Sequence, residues 1–498
     1  MTDDPASLDP DDWDAFRAAA HDLLDSCIDR LAAAGDHPWQ PVPETVRAGY
    51  AVGPVAADPA ALADRLRDEV LPYGTGNTHP QFFGWVHGTG LASGLLSEMV
   101  AATMNANCGG RDHGAVYMER AVVDWARGVF GMPAGASGLL VAGTSQATVI
   151  ALAAARARAL GPEVVARGMQ GAPLVAYAGA GVHNAAQKAL ALLGIGAEAL
   201  RRIPDGSAGT DTDVLRAAIA RDRAAGLHPF AVIGTAGSVD LGRFDDLEAL
   251  ADLARDEDLW LHVDGAFGAW LAIAGEPWAG RVRGIGRADS LACDFHKWMY
   301  VPYDCGLVLI ADETWHRAAF AARPSYLEGQ ARGLAGGDPW YCDYGVDLSR
   351  GNRALKVWTA LTAYGQDRLG AAIAGNCARA ADMAAAVEAA VTRTVEELGG
   401  LDILVNGAAG NFLCLAEQLS PNGFGAVVDI DLKGTFHCSK AALPYLKKRG
   451  GVILNISATL HYLGTPAQLH VASAKAGVDA LTRVLAVEWG PYGIRVNG

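Results

Sequence analysis

The feature that most limits the possible folds is a regular alternation, from Ser137 to Ile310, of short apolar runs and alanine-rich segments with helical periodicity. This alternation predicts an α/β fold with a mostly parallel sheet. The predicted strands are Leu139–Ala142, Leu174–Ala178, Ala231–Thr235, Trp260–Val263, Ser290–Cys293 and Gly306–Ile310. The predicted helices are Ser145–Leu160, His183–Leu193 and Asp245–Arg255. Ligands bind beyond the carboxyl ends of parallel strands, so we expect a site at that edge.

Polar residues stand at or soon after the ends of these predicted strands. Asp264 follows the apolar run LWLHV, where it could bind a positively charged ring nitrogen or cap a helix. His183 follows LVAYAGAGV and could lie flat on a ring or be a structural histidine. Thr144 and Ser145 lie between a strand and a helix N-terminus, a place that suits a phosphate but also an ordinary turn.

Lys297 lies in the apolar and aromatic stretch CDFHKWMY, directly after His296. A lysine in such surroundings could pack its stem and extend its ammonium to water. Alternatively, removal from water makes the amine lose its proton more easily and act as a nucleophile. Pyridoxal 5′-phosphate needs such a lysine, an acid for its ring nitrogen and a phosphate site. The order of phosphate turn, His183, Asp264 and Lys297 along alternating strands therefore predicts this cofactor.

Residues from about 10 to 390 resemble the group II pyridoxal-phosphate-dependent decarboxylases, the family of aromatic amino acid and glutamate decarboxylases. The stretches that carry the resemblance are HPQFFGW (His79–Trp85), MERAVVDW (Met118–Trp125), GTSQATVIAL (Gly143–Leu152), TAGSVDLGRFDDL (Thr235–Leu247), LWLHVDGAFG (Leu259–Gly268) and DSLACDFHKWMYVPYDCG (Asp289–Gly306). The resemblance implies a fold-type I large domain and a homodimer that removes CO2 from an L-amino acid.

The same resemblance implies roles for individual residues. Lys297 matches the lysine that forms the Schiff base, and Asp264 matches the partner of the pyridinium nitrogen. The other cofactor-binding residues that it implies are His183 and Ala266 on the two faces of the ring, Thr144 and Ser145 at the phosphate, Thr235, and His296 beside the lysine. Tyr326, in RPSYLEG, matches the loop tyrosine that protonates the carbanion left by CO2, and its alternative is an ordinary surface tyrosine. The predicted catalytic residues are Lys297, Tyr326 and His183.

The choice of substrate has weaker support in the sequence. Phe82, Phe83 and Trp85 could form an apolar wall for an aromatic side chain, which favours an aromatic amino acid, or belong to the core. Arg111, in GGRDHG, could bind a substrate carboxylate or pair with a neighbouring acid at the surface. Arg353, in SRGNRALKVW, resembles a family arginine near the cofactor.

From about residue 393 the chain resembles a different family, the short-chain dehydrogenases/reductases, and within it the peroxisomal 2,4-dienoyl-CoA reductases. The resemblance is carried by LDILVNGAAGNFLC (Leu401–Cys414), VVDIDLKGTF (Val427–Phe436), GGVILNISATL (Gly450–Leu460) and HVASAKAGVDALTRVLAVEWGPYGIRVN (His470–Asn497). It implies that Lys475 matches the lysine that holds the nicotinamide ribose. Val471 and Ala458 stand where ordinary members carry the catalytic tyrosine and serine.

The N-terminal half of a short-chain dehydrogenase/reductase is absent from this chain. Decarboxylase-like sequence occupies the place where that half would stand. The glycines of Thr89–Gly94 lack the preceding strand of a dinucleotide-binding unit. We therefore expect an incomplete Rossmann-like segment that does not bind NADPH, begins where decarboxylases carry a small C-terminal domain and stops at a strand end. A reductase activity of this segment, or an inactive hybrid scaffold, is the alternative function.

Composition excludes several classes of protein. The 55 acidic and 40 basic residues give a net charge of −15, which argues against a nucleic-acid partner. Polar residues interrupt every apolar run before it reaches the length of a membrane span, and the acidic start lacks the apolar core of a signal peptide. Eight cysteines without CxxC spacing predict reduced thiols in the cytoplasm and no metal site. The expected partners are a small amino acid substrate and a second copy of the chain.

A chain of 498 residues is expected to form more than one domain. We predict an N-terminal helical segment over 1–75, a cofactor-binding large domain over 76–375, a helical junction over 376–392 and a partial reductase-like segment over 393–498. The further predicted elements are helices at Asp9–Ala34, at Pro59–Leu71 with Asp58 as its cap and at Ser473–Trp489, a loop at Gly74–Gly90, and strands within Leu401–Gly410 and Gly450–Ser457.

Overall fold

The computed structural model describes residues 10, 12–52, 59–80, 82, 84–206, 209–239, 242–321, 330, 332–419 and 421–498. The chain divides into two compact units, Met1–Ala374 and Gly375–Gly498. Two predicted boundaries stay predictions. One lies near residue 75, and the other lies near residue 392, between the helical junction and the reductase-like segment. Within the described ranges no helix combines the length and the apolar character needed to cross a membrane.

A seven-stranded sheet forms the centre of the first unit, in the order β1-β7-β6-β5-β4-β2-β3. The strands are β1 (Ser137–Val141), β2 (Leu174–Gly179), β3 (Leu200–Ile203), β4 (His228–Thr235), β5 (Trp260–Asp264), β6 (Ser290–Asp294) and β7 (Gly306–Ile310). The pairs from β6 through β5, β4 and β2 to β3 are parallel. Strand β7 is antiparallel to both neighbours. The predicted α/β fold with a mostly parallel sheet is confirmed.

The helices of the first unit occupy the places between strands that the alternation predicted, with additions before β1. They are α1 (Trp13–Ala32), α2 (Glu44–Gly49), α3 (Pro59–Arg65), α4 (Ala92–Met104), α5 (Gly114–Val129), α6 (Thr144–Leu160), α7 (Val164–Arg167), α8 (Asn184–Leu192), α9 (Thr212–Ala224), α10 (Leu247–Asp256) and α11 (Glu313–Phe320). Asp12 caps α1 by accepting the N–H groups of Asp14 and Ala15. Asp58, the predicted cap of α3, lies outside the described residues.

Helix α6 lies at the heart of the core because its side chains are small. Its buried residues include Ala147, Ala151 and Ala154, which belong to the same apolar cluster as Val141 of β1 and Val308 of β7. Small side chains allow a helix to lie close to a sheet and bury apolar surface on several sides. The close packing holds the first turn of α6 at the carboxyl edge of the sheet.

The second unit contains a three-stranded parallel sheet, β8 (Ile403–Asn406), β9 (Gly451–Asn455) and β10 (Ile494–Asn497). Its further helices are α13 (Pro421–Val428), α14 (Gly434–Arg449), α15 (Leu460–Leu463) and α16 (Leu469–Trp489). Helix α12 (Ala354–Leu398) begins in the first unit and continues into this one, and Gly365 interrupts it with φ 69° and ψ 161°. In the described part of this unit, no strand precedes β8.

Candidate functional site

The carboxyl ends of β4, β5 and β6 bring polar side chains to one edge of the sheet. Thr235 ends β4, Asp264 ends β5 and Asp294 ends β6. Thr235 stands opposite Asp264 in the register, and Asp264 stands opposite Ala292. Side chains from neighbouring parallel strands therefore converge here, as expected for this fold class.

Asp264 is a buried acid that needs a positively charged partner. It is 5% exposed, and its Oδ1 accepts the N–H of Ala266 at 3.2 Å. Burial raises the pKa of this carboxyl, while the nearby charges of His183 and Lys297 act in the opposite direction. The electrostatic influence of His183 and Lys297 places both residues in the surroundings of Asp264.

Lys297 is held by an acid that the sequence reasoning missed. The Nζ of Lys297 lies 3.0 Å from Oδ2 of Asp294, which is almost fully buried. The other oxygen, Oδ1, accepts the N–H of Thr144 at 2.7 Å. Asp294 thus connects the lysine to the first turn of α6. Its position at the end of an apolar strand, the same signal that identified Asp264, could have revealed it.

The two predicted histidines have defined hydrogen bonds. Nδ1 of His296 accepts the N–H of Cys305 at 3.1 Å, and burial lowers the pKa of this imidazole. Its Nε2 lies 3.6 Å from Oδ2 of Asp294. Nδ1 of His183 accepts the N–H of Ala185 at 3.2 Å and so caps α8. This hydrogen bond supports a structural role for His183. The effect of His183 on the pKa of Asp264 is compatible with a role beside the cofactor.

The first turn of α6 fits a phosphate. The hydroxyl Oγ1 of Thr144 is buried and has no hydrogen-bond partner in the described part of the chain. A Cβ on Gly143 would lie 3.4 Å from Cε1 of His296 and 3.5 Å from Oδ1 of Asp294, in ordinary van der Waals contact, so this turn packs directly against both residues. Ser145, next along the helix, is exposed. An orphaned hydroxyl at the N-terminus of a long helix is an arrangement that an anion would satisfy. The residues present therefore fit pyridoxal 5′-phosphate.

The predicted substrate residues that the structure describes each contact other parts of the chain. The guanidinium of Arg111 lies 4.7 Å above the ring of Trp340. Nε of Arg353 lies 3.1 Å from Oδ1 of Asp304. Phe83 and Tyr326 lie outside the described residues, and Phe82 packs with other rings that are described below.

A buried ion pair in the first unit was also missed. Arg350 binds Glu119 with both guanidinium nitrogens, at 2.8 and 3.1 Å, and both side chains are 1% exposed. Glu119 accepts the N–H of Leu140 at 2.9 Å, and Arg350 donates to the carbonyl of Cys108 at 3.0 Å. The pair joins α5, β1 and the segment before α12. Its partners are 231 residues apart, so no local pattern could reveal it.

In the second unit, Lys475 is fully engaged within the protein. Its Nζ lies 3.2 Å from Oδ2 of Asp431 and donates to the carbonyl of Ile456 at 2.9 Å. Oδ1 of Asp431 accepts the N–H of Gly410 at 2.6 Å. The lysine that the resemblance links to a nicotinamide ribose thus takes part in a buried network of the chain itself.

Comparison with known proteins gives one result for the larger, N-terminal part of the chain and another for its C-terminal part. Residues 54–397 match the pyridoxal-dependent decarboxylase conserved domain, and residues 359–498 match enoyl-(acyl carrier protein) reductase. An aromatic-L-amino-acid decarboxylase of Bacillus atrophaeus is 34% identical over 312 residues, which are 62% of this chain and 63% of the relative. A peroxisomal 2,4-dienoyl-CoA reductase of Saccharomyces cerevisiae is 59% identical over 111 residues, which are 22% of this chain and 38% of the relative. The chain thus spans less than two thirds of either relative.

A solved structure is similar to this chain in fold as well as in sequence. The crystal structure of Oryza sativa TDC with PLP and tryptamine has a TM-score of 0.66 at 25% identity, and the match covers 79% of this chain and 80% of that one. The chain belongs to the pyridoxal-dependent decarboxylase family and carries a reductase-like segment after the decarboxylase domain. Its cofactor is pyridoxal 5′-phosphate. Both resemblances inferred from the sequence are confirmed.

Proposed function

We propose that this protein removes CO2 from an L-amino acid, with an aromatic amino acid as the favoured substrate class. The observation that carries the proposal is one edge of the sheet. At this edge lie the amine of Lys297, the buried carboxylate of Asp264 and the hydroxyl of Thr144, which has no hydrogen-bond partner among the described residues. Aromatic specificity is supported by the name of the Bacillus relative and by the rings of Phe82 and Trp85.

When bound, the cofactor supplies a cationic ring that withdraws electrons from the substrate's α-carbon and weakens its bond to the carboxylate. Asp264 would keep the ring nitrogen protonated, because a buried carboxylate is stabilised by a positive partner. The N-terminus of α6 and Oγ1 of Thr144 would hold the phosphate. Lys297 would hold the cofactor through its Nζ amine. The hydroxyl of Tyr326, or the imidazole of His183, returns a proton to the α-carbon.

We further propose a cytoplasmic homodimer. Helix α1 exposes Trp13, Phe16, Ile28 and Leu31, a set of apolar side chains that a second copy could cover. None of the eight cysteines, all within the described residues, takes part in a disulfide, which is typical of a reducing compartment. Light scattering coupled to size-exclusion chromatography tests the dimer, and a mass of one chain of 51.8 kDa at micromolar concentration would contradict it.

The activity is tested by measuring CO2 release with added pyridoxal phosphate across L-tyrosine, L-tryptophan, L-phenylalanine and L-glutamate. We expect release from an aromatic acid, and its loss in Asp264→Ala and Lys297→Ala. Release from glutamate alone would contradict the aromatic class. Absence of release from every amino acid would contradict the decarboxylase and favour an inactive scaffold, and NADPH binding in a parallel titration would favour a reductase.

A further inference from the structure

Three rings on the loop that precedes α4 form a group with one ring from the segment between β6 and β7. We name Phe82, Trp85, His87 and Tyr303 the aromatic stack. The ring of His87 lies 5.7 Å from that of Phe82 and 5.7 Å from that of Trp85, with interplanar angles of 22° and 25°. Tyr303 meets His87 edge-on at 6.0 Å. Trp85 and Tyr303 are 64% and 49% exposed, so the stack forms a surface and not a core.

The aromatic stack is fixed against the backbone next to Lys297. A Cβ on Gly88 would lie 1.9 Å from the carbonyl oxygen of His296 and 3.2 Å from that of Lys297, so only glycine permits this approach. The carbonyl of Gly88 also accepts a hydrogen bond from Nδ2 of Asn77 at 2.7 Å. Tyr303 packs on the ring of His296 at 4.3 Å. His87 directly precedes Gly88 and is close enough to Lys297 to be affected by its charge, so the aromatic stack lies near the lysine.

His87 is the polar member of the stack and is not used by the mechanism above. Neither of its ring nitrogens has a hydrogen-bond partner among the described residues, and its side chain is exposed. Loss of part of its hydration, followed by the charge of Lys297, lowers the pKa of the imidazole and so favours its neutral form. A neutral imidazole donates one hydrogen bond and accepts another.

We propose that His87 is a specificity-determining residue that hydrogen-bonds the polar edge of an aromatic substrate, a phenol hydroxyl or an indole N–H, whose ring packs on Phe82 and Trp85. The inference rests on the proposed function, which it deepens by choosing among aromatic amino acids. A site that offers a hydrogen bond to a substrate group discriminates against the analogue lacking that group. Because the site is open to water, the discrimination is about tenfold, near the net value of one hydrogen bond.

The test measures binding, so that it does not depend on turnover. The cofactor-loaded full chain is titrated by calorimetry with 3-(4-hydroxyphenyl)propionate and with 3-phenylpropionate, which differ in one hydroxyl and lack the amine that reacts. His87→Phe keeps a flat ring in the stack and removes both nitrogens. His228→Phe is the matched control, since His228 is exposed at the opposite end of the strand that ends at Thr235.

We expect the unaltered protein and His228→Phe to bind the hydroxylated ligand about tenfold more tightly than 3-phenylpropionate. We expect His87→Phe to bind the two ligands with about equal affinity. An unchanged ratio in His87→Phe, an equal loss for both ligands, or no binding of either ligand would overturn the proposal. Absence of CO2 release together with a ratio that depends on His87 would contradict the proposed function alone.

Discussion

Oδ2 of Asp294 lies 3.0 Å from Nζ of Lys297. Because Oδ1 of the same carboxylate accepts the N–H of Thr144 at 2.7 Å, one buried acid orients both the amine and the turn that suits the phosphate. The two halves of the cofactor site, contributed by residues 150 positions apart, are thereby fixed to each other before any ligand binds.

Asp294→Ala is expected to weaken pyridoxal phosphate binding about tenfold, because the amine and the first turn of α6 both lose their common partner. Asp294→Asn keeps an oxygen that accepts the N–H of Thr144, so we expect its affinity within about threefold of the unaltered protein. Titration of the visible absorbance of the loaded protein measures both. Equal losses in the two variants would contradict a role of Asp294 through the helix turn.

Asp264→Asn is expected to have opposite effects with and without cofactor. Burial raises the folded-state pKa of this carboxyl, so its proton-linked stabilisation is complete below the ordinary aspartate range and lost as pH rises through the folded pKa. At pH 7 the neutral variant should therefore raise the unfolding free energy of the cofactor-free protein by about 1 kcal/mol, with less gain near pH 4. Addition of cofactor should stabilise it less than the unaltered protein.

Thermal unfolding at both pH values, with and without pyridoxal phosphate, measures these effects. A cofactor-free Asp264→Asn protein that is less stable than the unaltered protein at pH 7, or equal stabilisation of both by the cofactor, would contradict the assignment of Asp264.

Buried histidines should make the first unit sensitive to acid. His262 of β5 is fully buried, its Nδ1 is 2.9 Å from Oγ of Ser290, and burial lowers its pKa to about 3. Burial lowers the pKa of His316 to about 3 as well. Because the unfolded chain takes up these protons near pH 6.5, the stability is present above that pH and is lost as pH falls toward 3.

Each of these histidines is expected to remove about 2 kcal/mol of unfolding free energy between pH 7 and pH 5. His262→Leu should reduce the pH dependence by about that amount, whereas His228→Leu, at an exposed position, should leave it unchanged. Urea unfolding at the two pH values is the measurement. The same loss in His262→Leu as in the unaltered protein would show that this imidazole does not remain neutral in the fold.

The pair of Glu119 and Arg350 is expected to be sensitive to the loss of one partner. Arg350→Met leaves a buried carboxylate without its cation, so the unfolding free energy should fall by about 3–5 kcal/mol. Arg216→Met removes a half-exposed pair with Asp256 and should change it by less than about 1 kcal/mol. Urea unfolding compares the two, and similar effects would mean that the buried pair contributes no more than a surface one.

The sequence predicts much of this architecture because apolar periodicity is a local property. Every predicted strand of the first unit is present within a few residues. Strand β3 escaped prediction because LRRI is short, lies at the sheet edge and carries two arginines. Helix α12 runs through the predicted junction, since its alanine-rich sequence contains no glycine or proline between residues 376 and 392 that would divide it there.

Side-chain partners across the fold are harder to predict, because they depend on residues far apart in sequence. Trp340, above which Arg111 lies, is distant in the chain, so the sequence left Arg111 between a substrate and a neighbouring acid. The acid beside it, Asp112, instead accepts the hydroxyl of Tyr117 at 2.6 Å. The stacking of His87 also required the fold, because nothing in HPQFFGWVH indicates which rings meet.

The central claim is that Lys297 carries the cofactor, and reduction of the loaded protein with borohydride followed by peptide mass spectrometry tests it most directly. The account predicts one pyridoxyl group per chain, on the peptide that contains Lys297, and no label in Lys297→Ala. Label on Lys356, Lys475 or any other lysine of the unaltered protein, or an unlabelled Lys297 in a protein that retains the cofactor, would contradict it.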